Sequence, residues 1–195
     1  MAELENPRVI QGMVKILSSL LEDLAESNER NPRQGIISVF HGLTRPAISV
    51  QGYLERIFRY ANCSPSCLVV ANVYLDRFAR RQPSLPINTF SVHRLLIASV
   101  VVAVKFMDDI YYNNAYYAKV GGISTVEMNF LEIDYLFGLG FELSISPATF
   151  QEYYNNLVSR MKQSECPIGL DASSSPVRRL SRSQGMEDVE EEEEG

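Results

Sequence analysis

Very few side chains in this sequence of 195 residues are placed to carry out chemistry. Its two histidines, His41 and His93, lie far apart along the chain, and we interpret both as hydrogen-bonded structural residues. No nucleophile elbow, zinc-protease signature, phosphate loop or dinucleotide fingerprint occurs. Asp108 and Asp109 resemble a metal pair, but neighbouring side chains diverge at a helix end, so we interpret them as a solvated terminus. We therefore predict a binding protein and not an enzyme, with no metal, cofactor or small-molecule substrate.

The cysteines and the charges narrow the class of protein further. Cys63 and Cys67 are separated by three residues and Cys166 stands apart, which indicates neither a metal cluster nor a disulfide framework, so we expect a reducing compartment. The net charge is −6, of which the residues from Asp171 onward carry −5 (eight acids and three arginines), leaving about −1 for the rest. A nearly neutral body gives no reason to expect binding to nucleic acid or to a membrane surface.

The most apolar stretch of the sequence, LLIASVVVAV, spans Leu95–Val104 and is followed at once by Lys105. A membrane span needs about 20 apolar residues, and this run of ten is preceded by His93 and Arg94. The first residues, MAELENPRVIQG, carry acids where a signal peptide needs basic residues. The stretch therefore predicts the central helix of an all-α core, apolar on nearly every side.

Apolar spacing and capping residues predict six helices. We expect them over residues 9–25, 50–61, 65–80, 89–107, 125–137 and 147–161. Ser49, Ser64, Asn88 and Ser146 are the predicted caps of four of them. The segment between residues 108 and 123 is rich in Tyr, Asn and Gly, and we expect it to be a connection.

The helix after residue 124 has the clearest start signal. Ser124 and Glu127 have the spacing of a capping box, in which each side chain binds the other residue's backbone amide. Four apolar residues at helical spacing are expected to face the core: Val126, Phe130, Ile133 and Phe137.

We divide the chain into an N-terminal helix and lead-in (1–44), a helical domain (45–162) and an acidic tail (163–195). The tail combines few apolar residues with blocks of charge, which predicts disorder. Ser175 precedes a proline and Ser181 follows Arg178 and Arg179, so both are possible phosphorylation sites; a bare solubilising tail is an equal alternative.

Four strings, in order along the chain, resemble the cyclin box. VVANVYLDRFAR (Val69–Arg80) and IASVVVAVKF (Ile97–Phe106) resemble its second and third helices. FLEIDYLFGLGFELSISPATF (Phe130–Phe150) resembles its fifth helix and the segment after that helix. The lead-in FHGLTRPAISVQGYLERIFRYANCS (Phe40–Ser64) is most similar to the plant U-type cyclins, also called P-type, which are kin of the phosphate-response cyclins of yeast.

This resemblance implies an all-α fold, a single five-helix cyclin box with an added N-terminal helix. It also implies a regulatory subunit that binds and activates a cyclin-dependent serine/threonine kinase. In the family, a lysine at the end of helix three and a glutamate in helix five bind backbone groups around the kinase's mobile helix, and by resemblance these are Lys105 and Glu132. Phe106, Leu136 and Phe141 fall on positions that pack against the kinase.

Other interpretations of these residues stay open. The helix dipole alone favours a lysine such as Lys105 at a helix C-terminus, by about 0.3–1 kcal/mol, and Glu132 fits an ordinary solvated helix face. The family also has a buried arginine–aspartate pair, which predicts that Arg56 and Asp76 form a structural ion pair.

The departures from the family matter as well. We expect one box without a second five-helix repeat, and YLERIF stands where, by this resemblance, a substrate-docking patch would lie. A cyclin-fold adaptor or scaffold that does not activate a kinase is the alternative function, and an all-α enzyme is a third. We expect the protein in the nucleus, the cytoplasm or both, in cell division or in phosphate and nutrient signalling.

Overall fold

The computed structural model describes residues 4–30 and 38–165, and this part of the chain is helical without a strand. In chain order, its helices are α1 (Pro7–Arg30), α2 (Val50–Tyr60), α3 (Pro65–Arg81), α4 (Val92–Met107), α5 (Asn114–Gly121), α6 (Thr125–Leu139) and α7 (Pro147–Glu165). The all-α prediction is confirmed.

The short helix α5 lies in the segment that the sequence predicted to be a connection. It begins because the side chain of Asn113 accepts a hydrogen bond from the Tyr116 amide, and it ends at Gly122, whose φ of 70° suits glycine. Its eight residues are too few to show a clear helical period. With α5 present, five helices (α2–α6) lie between α1 and α7, and α6 is the fifth of them.

Helix α4 is the centre of the molecule, as its apolar sequence predicts. Twelve of its sixteen residues are buried, and it packs against α2, α3, α5 and α6. A helix surrounded by neighbours along most of its length has little contact with solvent there, which explains why LLIASVVVAV has so little polar character. None of the helices in the described residues has both the length and the apolar character that a membrane span needs.

Helices α1 and α7 close one side of the core. Helix α1 is longer at both ends than its predicted span of 9–25, and it places Met13, Val14, Leu17 and Leu21 in the same apolar cluster as α4. It passes so close to α7 that a Cβ added at Gly12 would lie 2.3 Å from the Cε of Met161.

Ser49 and Ser146 form the predicted caps, whereas Ser64 and Asn88 do not cap their helices as predicted. Ser49 accepts from the Gly52 amide at 3.1 Å, and Ser146 accepts from the Thr149 amide at 3.1 Å. Ser124 and Glu127 form the predicted capping box. Ser64 stands at the predicted N-cap of α3, but its side chain makes no cap hydrogen bond. Asn88 accepts from the amides of Phe90 and Ser91, one turn before α4 begins.

The predicted inward face of α6 was wrong. Val126, Phe130, Ile133 and Phe137 are exposed, and the buried face consists of Met128, Leu131, Tyr135, Gly138 and Leu139. Both faces of this helix are apolar and both have helical spacing, so periodicity alone does not show which one faces the core. A helix that exposes four large apolar side chains has a face available for a partner.

Candidate functional site

Lys105 and Glu132 come together at the surface where α4 ends beside α6. The Nζ of Lys105 lies 2.6 Å from Oε1 of Glu132, and the two side chains are 25% and 16% exposed. Lys105 is in the last turn of α4, and Glu132 is in the middle of α6. The ends of both side chains are therefore half-buried but reachable from solvent, and together they offer donors and acceptors.

Two asparagines that the sequence patterns did not reveal complete this cluster. The Oδ1 of Asn114 accepts from Lys105 at 2.8 Å, and its Nδ2 donates to Oε2 of Glu132 at 2.6 Å and to Oδ1 of Asn129 at 2.8 Å. Asn114 is the first residue of α5, the helix that the sequence did not reveal. We call Lys105, Asn114, Asn129 and Glu132 the polar cluster.

Large apolar side chains are exposed on the same two helices as Lys105 and Glu132, α4 and α6. Phe106, directly after Lys105, is 49% exposed, and Met107 is 44% exposed. On α6 and just after it, the exposed residues are Val126, Phe130, Ile133, Phe137 and Phe141. Leu136, the other predicted contact residue, is partly buried against the core. We call these residues the apolar rim.

The chain bends sharply to expose Phe141. Gly140 and Phe141 both have left-handed backbone conformations, with φ of 61° and 57°. For a residue as large as phenylalanine this conformation is costly. The Phe141 amide donates to the Leu136 carbonyl at 3.0 Å, which holds the turn, and its ring packs edge-on against Phe137 at 5.2 Å. The strained turn keeps an aromatic ring, 58% exposed, at the surface.

Asp108 holds the end of α4 in place, so the prediction that it is part of a solvated terminus was wrong. Its carboxylate accepts from the Ser64 amide at 2.9 Å, from the Ser64 hydroxyl at 2.7 Å and from the Cys67 thiol at 3.4 Å. These bonds tie the C-terminus of α4 to the N-terminus of α3. Asp109 is exposed. The position of Lys105, three residues earlier, is thereby fixed.

The two described cysteines are structural. Burial raises the pKa of both thiols to about 12, and the neighbouring carboxylate of Asp108 adds to the increase. A thiol with so high a pKa stays protonated at neutral pH, and it is a poor nucleophile and metal ligand. The described residues contain no cluster of His, Cys, Asp and Glu that would hold a metal ion.

The predicted ion pair between Arg56 and Asp76 was wrong, since the structure gives each residue another partner. Arg56 donates to the carbonyl of Lys119 at 3.0 Å. Asp76 binds Arg80, one turn along α3, at 2.6 Å, and it accepts from the Tyr153 hydroxyl. Helix α2 packs against α1, α4 and α5, which directs Arg56 toward α5.

The histidines have structural surroundings. The Nε2 of His93 lies 2.9 Å from the Ile48 carbonyl, which can only accept, so this nitrogen carries the proton. Burial lowers the pKa of His93, which keeps it neutral. His41 stacks on Phe90 at 5.3 Å. The possible phosphorylation sites Ser175 and Ser181 lie outside the described residues.

Comparison with known proteins gives consistent matches. A family model described as Cyclin matches residues 14–143. The chain is 67% identical over 165 residues to Cyclin-U4-1 of Arabidopsis thaliana, which covers 83% of this chain and 82% of the relative. It is 55% identical over 174 residues to Cyclin-P4-1 of Oryza sativa subsp. japonica, with 86% and 82% covered. It is 37% identical over 190 residues to Cyclin-U1-1 of Arabidopsis thaliana, with 92% and 89% covered.

Proposed function

This chain belongs to the cyclin family, with plant U-type and P-type cyclins among its relatives, and we propose that it binds and activates a cyclin-dependent serine/threonine kinase. Cyclins are regulatory proteins without catalytic activity of their own. The chain is then the regulatory subunit of a heterodimer whose active site lies in the kinase.

The observation that carries this proposal is the polar cluster together with the exposed apolar rim on the same helices. Lysine has only donors and a carboxylate only acceptors, so a pair of the two can bind the carbonyl and amide groups of one partner segment. The apolar rim provides area that a partner can bury, worth about 25 cal/mol per Å². A half-buried charged pair on two helices that also expose large apolar side chains has the composition of a protein-binding surface.

Within this proposal, the process is cell division or phosphate and nutrient signalling, and the protein acts in the nucleus, the cytoplasm or both. The kinase supplies ATP and substrate binding, so this chain needs no cofactor, nucleic acid or membrane.

The second candidate function is a cyclin-fold adaptor or scaffold that binds other helices without activating a kinase. The same exposed face of α6 favours it, because a helix face can dock on many kinds of partner. The two functions differ in which proteins the chain captures and in whether the captured complex transfers phosphate.

Affinity capture from a plant-cell extract tests the proposal. We expect the tagged chain to retain a cyclin-dependent kinase, and we expect the washed complex to phosphorylate histone. Retention of a kinase without histone phosphorylation would support the scaffold. Retention of other proteins and no kinase would contradict the proposal.

A further inference from the structure

We infer that Asn114 is a positioning residue, which holds Lys105 and Glu132 in the geometry from which they bind the backbone of the partner. This inference rests on the proposed function, because it concerns the same surface. It adds a residue from α5, a helix that carries none of the predicted binding residues.

The orientation of the Asn114 amide is set by its neighbours. Lys105 only donates, so the carbonyl oxygen must face it, at 2.8 Å. The carboxylate of Glu132 only accepts, so the amide nitrogen must face it, at 2.6 Å. The second N–H of the same nitrogen donates to Asn129 at 2.8 Å. One amide thus binds one donor and two acceptors. Rotating it by half a turn would place its N–H donors against the Lys105 ammonium and its carbonyl oxygen against the Glu132 carboxylate.

This arrangement leaves binding capacity unused. Lys105 has three N–H donors; among the described residues one contacts Glu132 and one contacts Asn114, so one remains. Glu132 uses one oxygen toward Lys105 and the other toward Asn114, so each oxygen keeps a free lone pair. The pair can therefore bind a partner's carbonyl and amide groups without first breaking its own ion pair.

Asn114 is itself held firmly. It begins α5 directly after the N-cap Asn113, whose Oδ1 accepts from the Tyr116 amide at 3.0 Å. The rest of α5 packs against α6 and buries Tyr117 and Ala118. Because Asn114 is fixed by its helix, the long side chains of Lys105 and Glu132 lose less conformational freedom when the partner binds.

The first test is a double-mutant cycle on the free chain, read by urea unfolding. We expect Asn114→Ala to lower the folding equilibrium constant by about tenfold, as for hydrogen bonds to charged groups. In a chain that already carries Lys105→Ala and Glu132→Ala, the same change should lower it by much less than tenfold, because only the bond from Asn114 to Asn129 remains. Equal effects in both backgrounds would overturn the inference, whether or not a kinase binds.

The second test repeats the cycle with kinase affinity as the readout. Asn114→Ala should weaken binding about tenfold in the wild-type chain and less than about twofold in the background without Lys105 and Glu132. Asn114→Asp, which keeps the size of the side chain but repels Glu132, should weaken binding at least as much. Asn155→Ala, an exposed asparagine on α7, is the matched control and should bind as wild type does.

The outcomes separate the inference from the proposed function. If the wild-type chain binds no kinase, the proposed function fails, and the unfolding cycle alone decides whether Asn114 positions the pair. If the wild type binds and Asn114→Ala binds equally well, the proposed function stands and the inference is overturned.

Discussion

At the scale of single residues, chemical type and resemblance pointed to Lys105 and Glu132, but only the structure shows which groups surround them. Asn114 carries no charge and belongs to no recognised string, so nothing in the sequence marked it. Asp108 was misjudged for a related reason, since its partners Ser64 and Cys67 lie more than forty residues away along the chain. Spacing along the sequence does not reveal such contacts.

Glu127 gives a prediction for acid stability. The backbone amide of Ser124, then the side chains of Arg94 and Ser124, lower the pKa of this carboxyl from 4.5 to about 2. A lowered pKa in the folded state means stabilisation that is complete above about pH 4.5 and is lost as the pH falls toward 2. We expect Glu127→Gln to be less stable than wild type at pH 7, by a modest amount because the side chain is 41% exposed, and the difference to shrink on acidification.

Urea unfolding at several pH values between 2 and 7 measures this effect. Glu152→Gln, an exposed glutamate on α7, controls for the loss of one charge. If the difference in unfolding free energy between Glu127→Gln and wild type stays constant from pH 7 to pH 2, the ionised carboxylate of Glu127 does not cause that difference.

At the scale of helices, the two faces of α6 have separate tasks. Phe130 is exposed and the adjacent Leu131 is fully buried. We expect Leu131→Ala to cost about 2–5 kcal/mol of unfolding free energy, as core truncations do. We expect Phe130→Ala to change stability by less than about 0.5 kcal/mol but to weaken kinase binding by about tenfold or more, as for an aromatic hot spot.

Urea unfolding and a binding titration on the same two variants separate these effects. Leu131→Ala, compared at a temperature where it remains folded, serves as the control for lost apolar area. If Phe130→Ala binds the kinase as tightly as wild type does, this part of the apolar rim does not belong to the kinase interface.

The crossing of α3 and α6 depends on a glycine. A Cβ added at Gly138 would lie 2.2 Å from Cε2 of Phe78, whose ring stacks on Tyr135 at 4.8 Å and cannot easily move. Alanine favours a helix over glycine by about 1 kcal/mol, but overpacking a core costs about 1–3 kcal/mol. We expect Gly138→Ala to destabilise the protein in urea unfolding.

The Phe78→Leu background identifies the cause of this destabilisation. A smaller side chain at position 78 leaves room, so Gly138→Ala should cost less there than in the wild type. If Gly138→Ala raises the urea midpoint of the otherwise wild-type chain, the approach of Phe78 to position 138 does not exclude a larger side chain there.

At the scale of the whole molecule, the fold was predictable because capping residues and one very apolar helix mark it in the sequence. The start of α6 and the burial of α4 needed no tertiary information. The exposed face of α6 and the existence of α5 did need it, since a helix with two apolar faces and a helix of eight residues give ambiguous patterns.

The location of the site predicts how little the tail contributes to binding. The polar cluster and the apolar rim lie between residues 105 and 141, so a chain that ends at Glu165 should bind the kinase within about twofold of the full chain. Kinase titration of both chains measures this. If the shortened chain keeps its helical content but binds the kinase ten times more weakly, part of the interface lies beyond residue 165.

The most direct measurement exchanges the two charges of the pair. In a Lys105→Glu, Glu132→Lys variant the ion pair between α4 and α6 can form again, so the chain should remain folded with the helical content of the wild type. The donor and the acceptor now face the partner in reversed positions. We predict that the wild type captures an active cyclin-dependent kinase and that this folded variant does not. Equal capture by both proteins would contradict a binding site built on Lys105 and Glu132.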